Sequence, residues 1–223
     1  MKNSLKFVAL GCLALSAQAA LAQSAGTWMV RAGFATIAPQ VSSGTLSAPS
    51  LTNSKADVGS ASQFAGGITY MYTDNLSVDV PLALPFKHKI YGAGALSGVG
   101  QIGEVQVLPM TVAVQYRFNE ANAQFRPYVG LGATYANFFN ATGSGTLTAL
   151  TNTGGTPTGL SVESRFALTP QVGATFAVND KWFVDLYLSK TMLTTQTKLS
   201  TGQVVDIALD PVSYGLSVGY KFR

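Results

Sequence analysis

Charge is what this sequence has least of. Asp, Glu, Lys and Arg make up 11% of its 223 residues, against roughly a quarter in an ordinary soluble domain. A soluble protein of this size needs more charge than that to coat its surface. The basic excess is small, a formal +4 over the chain, and no basic stripe with interleaved aromatics accompanies it. Nucleic acid is therefore not an expected partner. Histidine and cysteine are scarce as well, with one of each, His88 and Cys12. Cys12 falls inside an export leader: Lys2 and Lys6 give its positive start, Phe7 to Ala20 its apolar run, and Ala20-Leu21-Ala22 a small-x-small cleavage site. Ala17-Gln18-Ala19 is an alternative site. An uncleaved anchor would need a longer apolar run, and Ala9-Leu10-Gly11 is a poor lipobox, so Cys12 reads as an ordinary leader residue. The expected division is a cleaved signal peptide over residues 1–22 and one domain over residues 23–223. That domain has no cysteine, so something other than disulfides must stabilise it outside the cell. One histidine and no mature cysteine leave too few ligands for a transition-metal site, and no cofactor is expected.

Long hydrophobic runs are the third absence. No stretch of about 18 apolar residues follows the leader, so no spanning helix is expected. Low charge without such a helix leaves one other membrane solution, a closed β-barrel.

What the sequence does have is alternation. Segments of period two recur at 26–37, 60–72, 76–86, 104–118, 125–139, 163–178, 182–196 and 208–222, and the last is the clearest. There Val212, Tyr214, Leu216, Val218, Tyr220 and Phe222 alternate with Ser213, Gly215, Ser217, Gly219 and Lys221. The connections alternate in length. Thr73-Asp74-Asn75, Asn119 to Gln124 and Asn179-Asp180-Lys181 are short and rich in turn formers. Residues 38–59, 87–103, 140–162 and 197–207 are long and rich in Gly, Ser, Thr and Pro, and 140–162 reads as low-complexity loop without a helix. Eight strands with short turns at one end and long loops at the other describe an all-β, eight-stranded antiparallel up-and-down transmembrane β-barrel. An even strand number puts both termini on the short-turn, periplasmic side.

Trp28, Tyr72, Phe118, Phe125, Trp182 and Phe222 fall near the periplasmic strand ends, where an interfacial aromatic girdle belongs. The alternative is a soluble sandwich or lipocalin-like barrel with these rings in its core. Such a barrel would carry Lys and Glu on its second face, where this chain carries Gly, Ala, Ser and Thr, residues suited to a narrow lumen. In LSVDVPLALPFKHKI (76–90) the apolar face Leu76, Val78, Val80, Leu82, Leu84 and Phe86 is therefore expected to meet lipid. Lys87-His88-Lys89 reads as a cationic rim for anionic headgroups at the outer leaflet.

TDNLSVDVPLALPFKHKI (73–90), FRPYVGLGATYANFF (125–139), LDPVSYGLSVGYKF (209–222) and MVRAGFATIAP (29–39) resemble the OmpW family of small outer-membrane barrels. The resemblance spans nearly the whole mature chain. It implies an eight-stranded barrel passing small hydrophobic molecules across the outer membrane, with alkane-uptake barrels as relatives. Such barrels usually end on an aromatic residue read by the barrel-assembly machinery. Here Arg223 follows Phe222.

An eight-stranded interior is only wide enough to be filled by side chains, which excludes a broad porin channel. No catalytic residue is assigned: His88 has no carboxylate within reach along its strand, and Gly130-Leu131-Gly132 is a lone GxG without the turn and helix of a nucleotide site. Alternation turns Arg31, Asp79, Arg117, Arg165, Asp185 and Lys221 inward, together with Met29, Ala35, Ala65, Met71, Ala83, Ala113 and Ala167. Paired charges would seal a structural or adhesion barrel; the apolar positions suit a conduit for apolar solutes in the extracellular half. A lipid-modifying barrel enzyme is a third class. The candidate lumen and constriction residues are Met29, Met71, Asp79, Pro81 and Ala83. Pro81, Pro85 and Pro109 each remove a backbone donor. With Phe86 set opposite Glu104, Pro81 faces Pro109, and the three prolines mark a lateral exit into the bilayer. The expected partners are membrane lipid, small hydrophobic solutes and the assembly machinery, and the expected state is a monomer.

Overall fold

The computed structural model describes residues 22–223; residues 1–21 of the expected leader, Cys12 among them, lie outside the described residues. In chain order the elements are β1 (Trp28–Ala38), β2 (Ser42–Ser43), β3 (Ser54–Val58), β4 (Ala61–Met71), β5 (Leu76–Ala83), β6 (Phe86–Gly94), β7 (Gln101–Arg117) and β8 (Phe125–Gly143). They continue with α1 (Gly145–Thr151), β9 (Leu160–Val162), β10 (Arg165–Ala177), β11 (Trp182–Lys190), β12 (Thr194–Leu199), β13 (Val204–Ala208) and β14 (Val212–Phe222).

Eight of these strands close a ring in the order β1-β4-β5-β7-β8-β10-β11-β14, with β14 returning to β1. Every neighbouring pair is antiparallel. First and last strands zip from Trp28↔Phe222 to Ala38↔Val212, which closes the cylinder. Each expected barrel segment overlaps one of these strands. The short connections lie at the end that carries both termini, and polar side chains hold them. Thr73 Oγ1 accepts from the Leu76 amide at 2.9 Å. Asn179 Oδ1 accepts from the amides of Lys181 and Trp182, both at 2.9 Å.

The outer wall is apolar. Phe34, Leu82, Val112, Leu131, Leu168, Leu186 and Leu216 are each more than half exposed on it, an arrangement stable only against hydrocarbon. Trp28, Tyr72, Phe118, Phe125, Trp182 and Phe222 are likewise exposed, at the strand ends on the terminal side. The inner wall is small or polar because large side chains cross the lumen and need room. A Cβ on Gly67 would stand 2.8 Å from the Arg31 Cζ, and one on Gly173 would stand 2.4 Å from the Tyr128 ring.

At the far end the long connections fold rather than wander. β12 and β13 form a hairpin flanked by β9 and β2 in a separate four-stranded sheet, while β3 adds to the free edge of β6. Residues 140–162 are not an irregular loop. β8 runs on to Gly143, α1 follows with Ser144 capping the Leu147 amide at 3.2 Å, and β9 pairs with β12. The seven-residue helix is too short to stand alone; burial of Leu147 against Ile90, Ile102, Val105 and Leu199 holds it in place.

Candidate functional site

The lumen is divided into layers. Nearest the termini, Met29, Met71 and Phe183 pack together. These methionines, expected in an apolar passage, sit instead on the terminal side of a layer of charge.

That layer is closed by paired groups. Arg31 donates twice to Asp79, Nη1 to Oδ1 at 2.6 Å and Nη2 to Oδ2 at 2.9 Å, the two-pronged geometry that favours arginine over lysine. Thr69 Oγ1 donates to Asp79 Oδ1 at 2.5 Å, and Arg31 Nε lies 3.8 Å from Asp185 Oδ1. Asp185 accepts from Tyr128 Oη at 3.2 Å and from Thr175 Oγ1 at 3.1 Å. Arg117 donates to Thr175 Oγ1 at 2.8 Å and to Gln115 Oε1 at 2.8 Å, and its guanidinium covers the Tyr128 ring at 4.7 Å. The N-terminal segment then crosses this end of the barrel. Gln23 accepts from Arg117 through its side chain at 3.2 Å and from Arg126 through its carbonyl at 2.7 Å. Two arginines and two aspartates balance, and four strands contribute them. The result is a sealed floor.

Five of the six charges expected inward, Arg31, Asp79, Arg117, Asp185 and Lys221, are buried. Arg165 is the exception. It starts β10 beyond the lipid belt, stands exposed, and pairs with Glu163, which also binds Lys198 at 2.8 Å.

Above the floor comes a chain of hydroxyls. Thr111 and Thr134 are 2.8 Å apart, Thr134 and Thr169 2.7 Å, Thr169 and Thr191 3.1 Å. These linked side chains line the base of the space above. There an apolar chamber opens, lined by Ala35, Ile37, Ala83, Phe86, Val107 and Ala136 and roofed by Leu193, Val205 and Ile207 from the extracellular hairpin. No alternation within the barrel strands reveals the roof residues, because they lie in a connection.

The wall beside the chamber is left unpaired in two places, around Pro170 between β10 and β11 and between β5 and β7. β5 pairs with β7 from Leu76↔Tyr116 to Asp79↔Ala113, and β6 resumes the pairing at Phe86↔Val107. Between them, residues 80–85 make no pairs with 108–112, although β5 stays paired to β4 and β7 to β8 at this height. The physical cause is proline. The Arg117 amide donates to the Asn75 carbonyl at 2.7 Å, which sets the odd residues of both strands facing each other. Pro81 and Pro109 are odd, so each lacks the amide that this seam requires. Both line the chamber. The expected register of Phe86 against Glu104 is therefore wrong by three residues: Phe86 faces Val107, Pro109 pairs with Ala136 on β8, and counting from Asp79↔Ala113 sets Pro81 opposite Thr111.

Pro85 lies in the break between β5 and β6, and the alternation reverses there. Leu82 and Leu84 face outward, but Phe86, His88 and Ile90 face inward and Lys87 and Lys89 outward. Phe86 thus leaves the lipid face to which its period assigns it. The lysines do lie outside, with Lys87 Nζ 2.7 Å from Glu104, while His88 belongs to the chamber and not to a cationic rim.

The OmpW family model matches residues 24–222. The chain is 37% identical over 216 residues to outer membrane protein W of Vibrio cholerae, covering 94% of each. It is 23% identical over 175 residues to outer membrane protein AlkL of Ectopseudomonas oleovorans, covering 77% of this chain and 71% of that one. The crystal structure of the outer membrane protein OprG from Pseudomonas aeruginosa superposes with a TM-score of 0.82 at 27% identity, covering 91% of this chain and 99% of that one. A closed eight-stranded wall with a lipid-facing belt, together with the family match over residues 24–222, makes this chain a member of the OmpW family of outer-membrane β-barrels.

Proposed function

We propose that this barrel takes up small hydrophobic molecules from outside the cell and releases them sideways into the outer membrane through the seam between β5 and β7. The observation that carries this reading is the coincidence of two heights. Asp79, the anchor of the sealed floor, is the last β5 residue to pair with β7, and the unpaired stretch begins at the next residue. A solute that descends the apolar chamber stops on the floor beside this unpaired stretch of the wall. The lipid beyond that seam is an apolar environment like the one it leaves. Passage straight through would require breaking the Arg31–Asp79 pair and its neighbours, a buried network that is costly to open. The kinship with AlkL agrees with an apolar cargo. No catalytic role is proposed.

The sealed floor also favours a second reading, a structural or adhesion barrel whose lumen carries nothing. A reversible staple separates the two. Leu82 and Met110 face outward on opposite sides of the seam, and counting from Asp79↔Ala113 sets them opposite each other. In the variant Leu82→Cys/Met110→Cys, oxidation is expected to suppress uptake of an apolar solute and reductant to restore it. Equal uptake in both states rejects release at this seam, and absence of uptake by the parent protein rejects the conduit.

A further inference from the structure

His88 is the single histidine of the chain, and the fold places it where an apolar wall would otherwise be continuous. It lines the chamber between Phe86 and Ile90 on β6, opposite the buried Val105 of β7, with 3% of its surface exposed. Its Nδ1 lies 2.7 Å from the Gly59 carbonyl. A carbonyl only accepts, so Nδ1 holds the proton, and in the neutral ring Nε2 then carries a lone pair. No group among the described residues donates to Nε2, and the atom is not sealed by protein. The threonine hydroxyls deeper in the chamber are linked to one another. Nε2 is thus an acceptor turned to the chamber, where leucine or phenylalanine would present none.

We propose that His88 is a specificity residue of the chamber, and that its Nε2 accepts a hydrogen bond from compact apolar solutes carrying one O–H or N–H donor, such as phenols and alcohols. This rests on the conduit reading and deepens it. Apolar walls take any molecule of the right size, and an acceptor set among them adds preference for those that can donate. The bond replaces one the solute makes to water, so it contributes selectivity rather than tight binding. Release remains easy.

The chain's single histidine gives a direct readout. Protein with 15N-labelled imidazole and no histidine tag is placed in lipid nanodiscs and titrated with 1-naphthol or with 1-methylnaphthalene, which replaces the hydroxyl by a methyl of similar size. Intrinsic fluorescence, corrected for empty nanodiscs, reports binding. The expected result is that both compounds bind, that 1-naphthol alone shifts the Nε2 resonance toward its hydrogen-bonded position, and that 1-naphthol binds roughly three- to ten-fold more tightly. His88→Phe should remove that preference and leave 1-methylnaphthalene binding unchanged. Binding of both compounds with an unmoved Nε2 resonance overturns the assignment and spares the conduit. Absence of binding by either compound overturns both.

Discussion

Arg31 clasps Asp79 with two hydrogen bonds, at 2.6 and 2.9 Å, on the last rung that β5 shares with β7. One ion pair therefore closes the lumen and also marks where the wall stops being paired.

Removing one partner should be costly. Asp79→Ala leaves the Arg31 guanidinium buried with only Asp185 nearby at 3.8 Å, and the expected loss of stability is on the order of 3 kcal/mol. Adding Arg31→Met should recover most of it, because the second change removes the stranded charge. The temperature at which the compact unboiled gel band converts to the unfolded one measures the order wild type, double variant, single variant. Gly67→Ala should act in the same direction, since its Cβ would press on that guanidinium.

The floor should exclude hydrophilic solutes. Proteoliposomes carrying the protein are expected to swell in a monosaccharide solution no faster than empty ones. Rapid swelling would mean that the network around Asp185 and Arg117 opens, and the lateral route would lose its rationale.

Restoring amides at the seam should close it. Pro81→Val and Pro109→Val together return two donors to strands that already face each other, each bond contributing roughly 1 kcal/mol. The barrel should become more resistant to heat while uptake of an apolar solute falls. A barrel that is stabilised yet imports as fast as the parent would leave the prolines with a structural role alone.

His88 predicts a pH dependence of stability. It lies beyond the lipid belt, on a strand whose outward residues are Lys87 and Lys89. Burial holds its pKa below the ordinary 6.5, the bond to the Gly59 carbonyl only partly opposing it. The unfolded chain thus takes up a proton that the folded one refuses. Stability is full above pH 6.5 and declines as pH falls through the range between that value and the lower folded one. Urea midpoints taken at about pH 7.5 and about pH 5 should differ more for the wild type than for His88→Phe.

The order of residues alone specifies the barrel: which segments are strands, which end carries the short turns, and which side chains within a regular strand face lipid. Backbone geometry forces side chains to alternate, so Arg31, Asp79, Arg117, Asp185 and Lys221 were legible as inward residues, and Pro81 and Pro109 as missing donors. How far neighbouring strands slide past one another is visible only in the folded barrel. Alternation is unchanged by a two-residue slip, and an irregularity such as the one at Pro85 reverses it locally. That reversal turned Phe86 and His88 from the outside to the chamber, and the register of Phe86 against Val107 set the height of the seam. Met29 and Met71 had the right face but the wrong level, because period says nothing of depth. The roof of Leu193, Val205 and Ile207 and the helix around Leu147 were illegible for a related reason. Those short segments carry too little pattern of their own, and burial against the barrel rim gives them their structure.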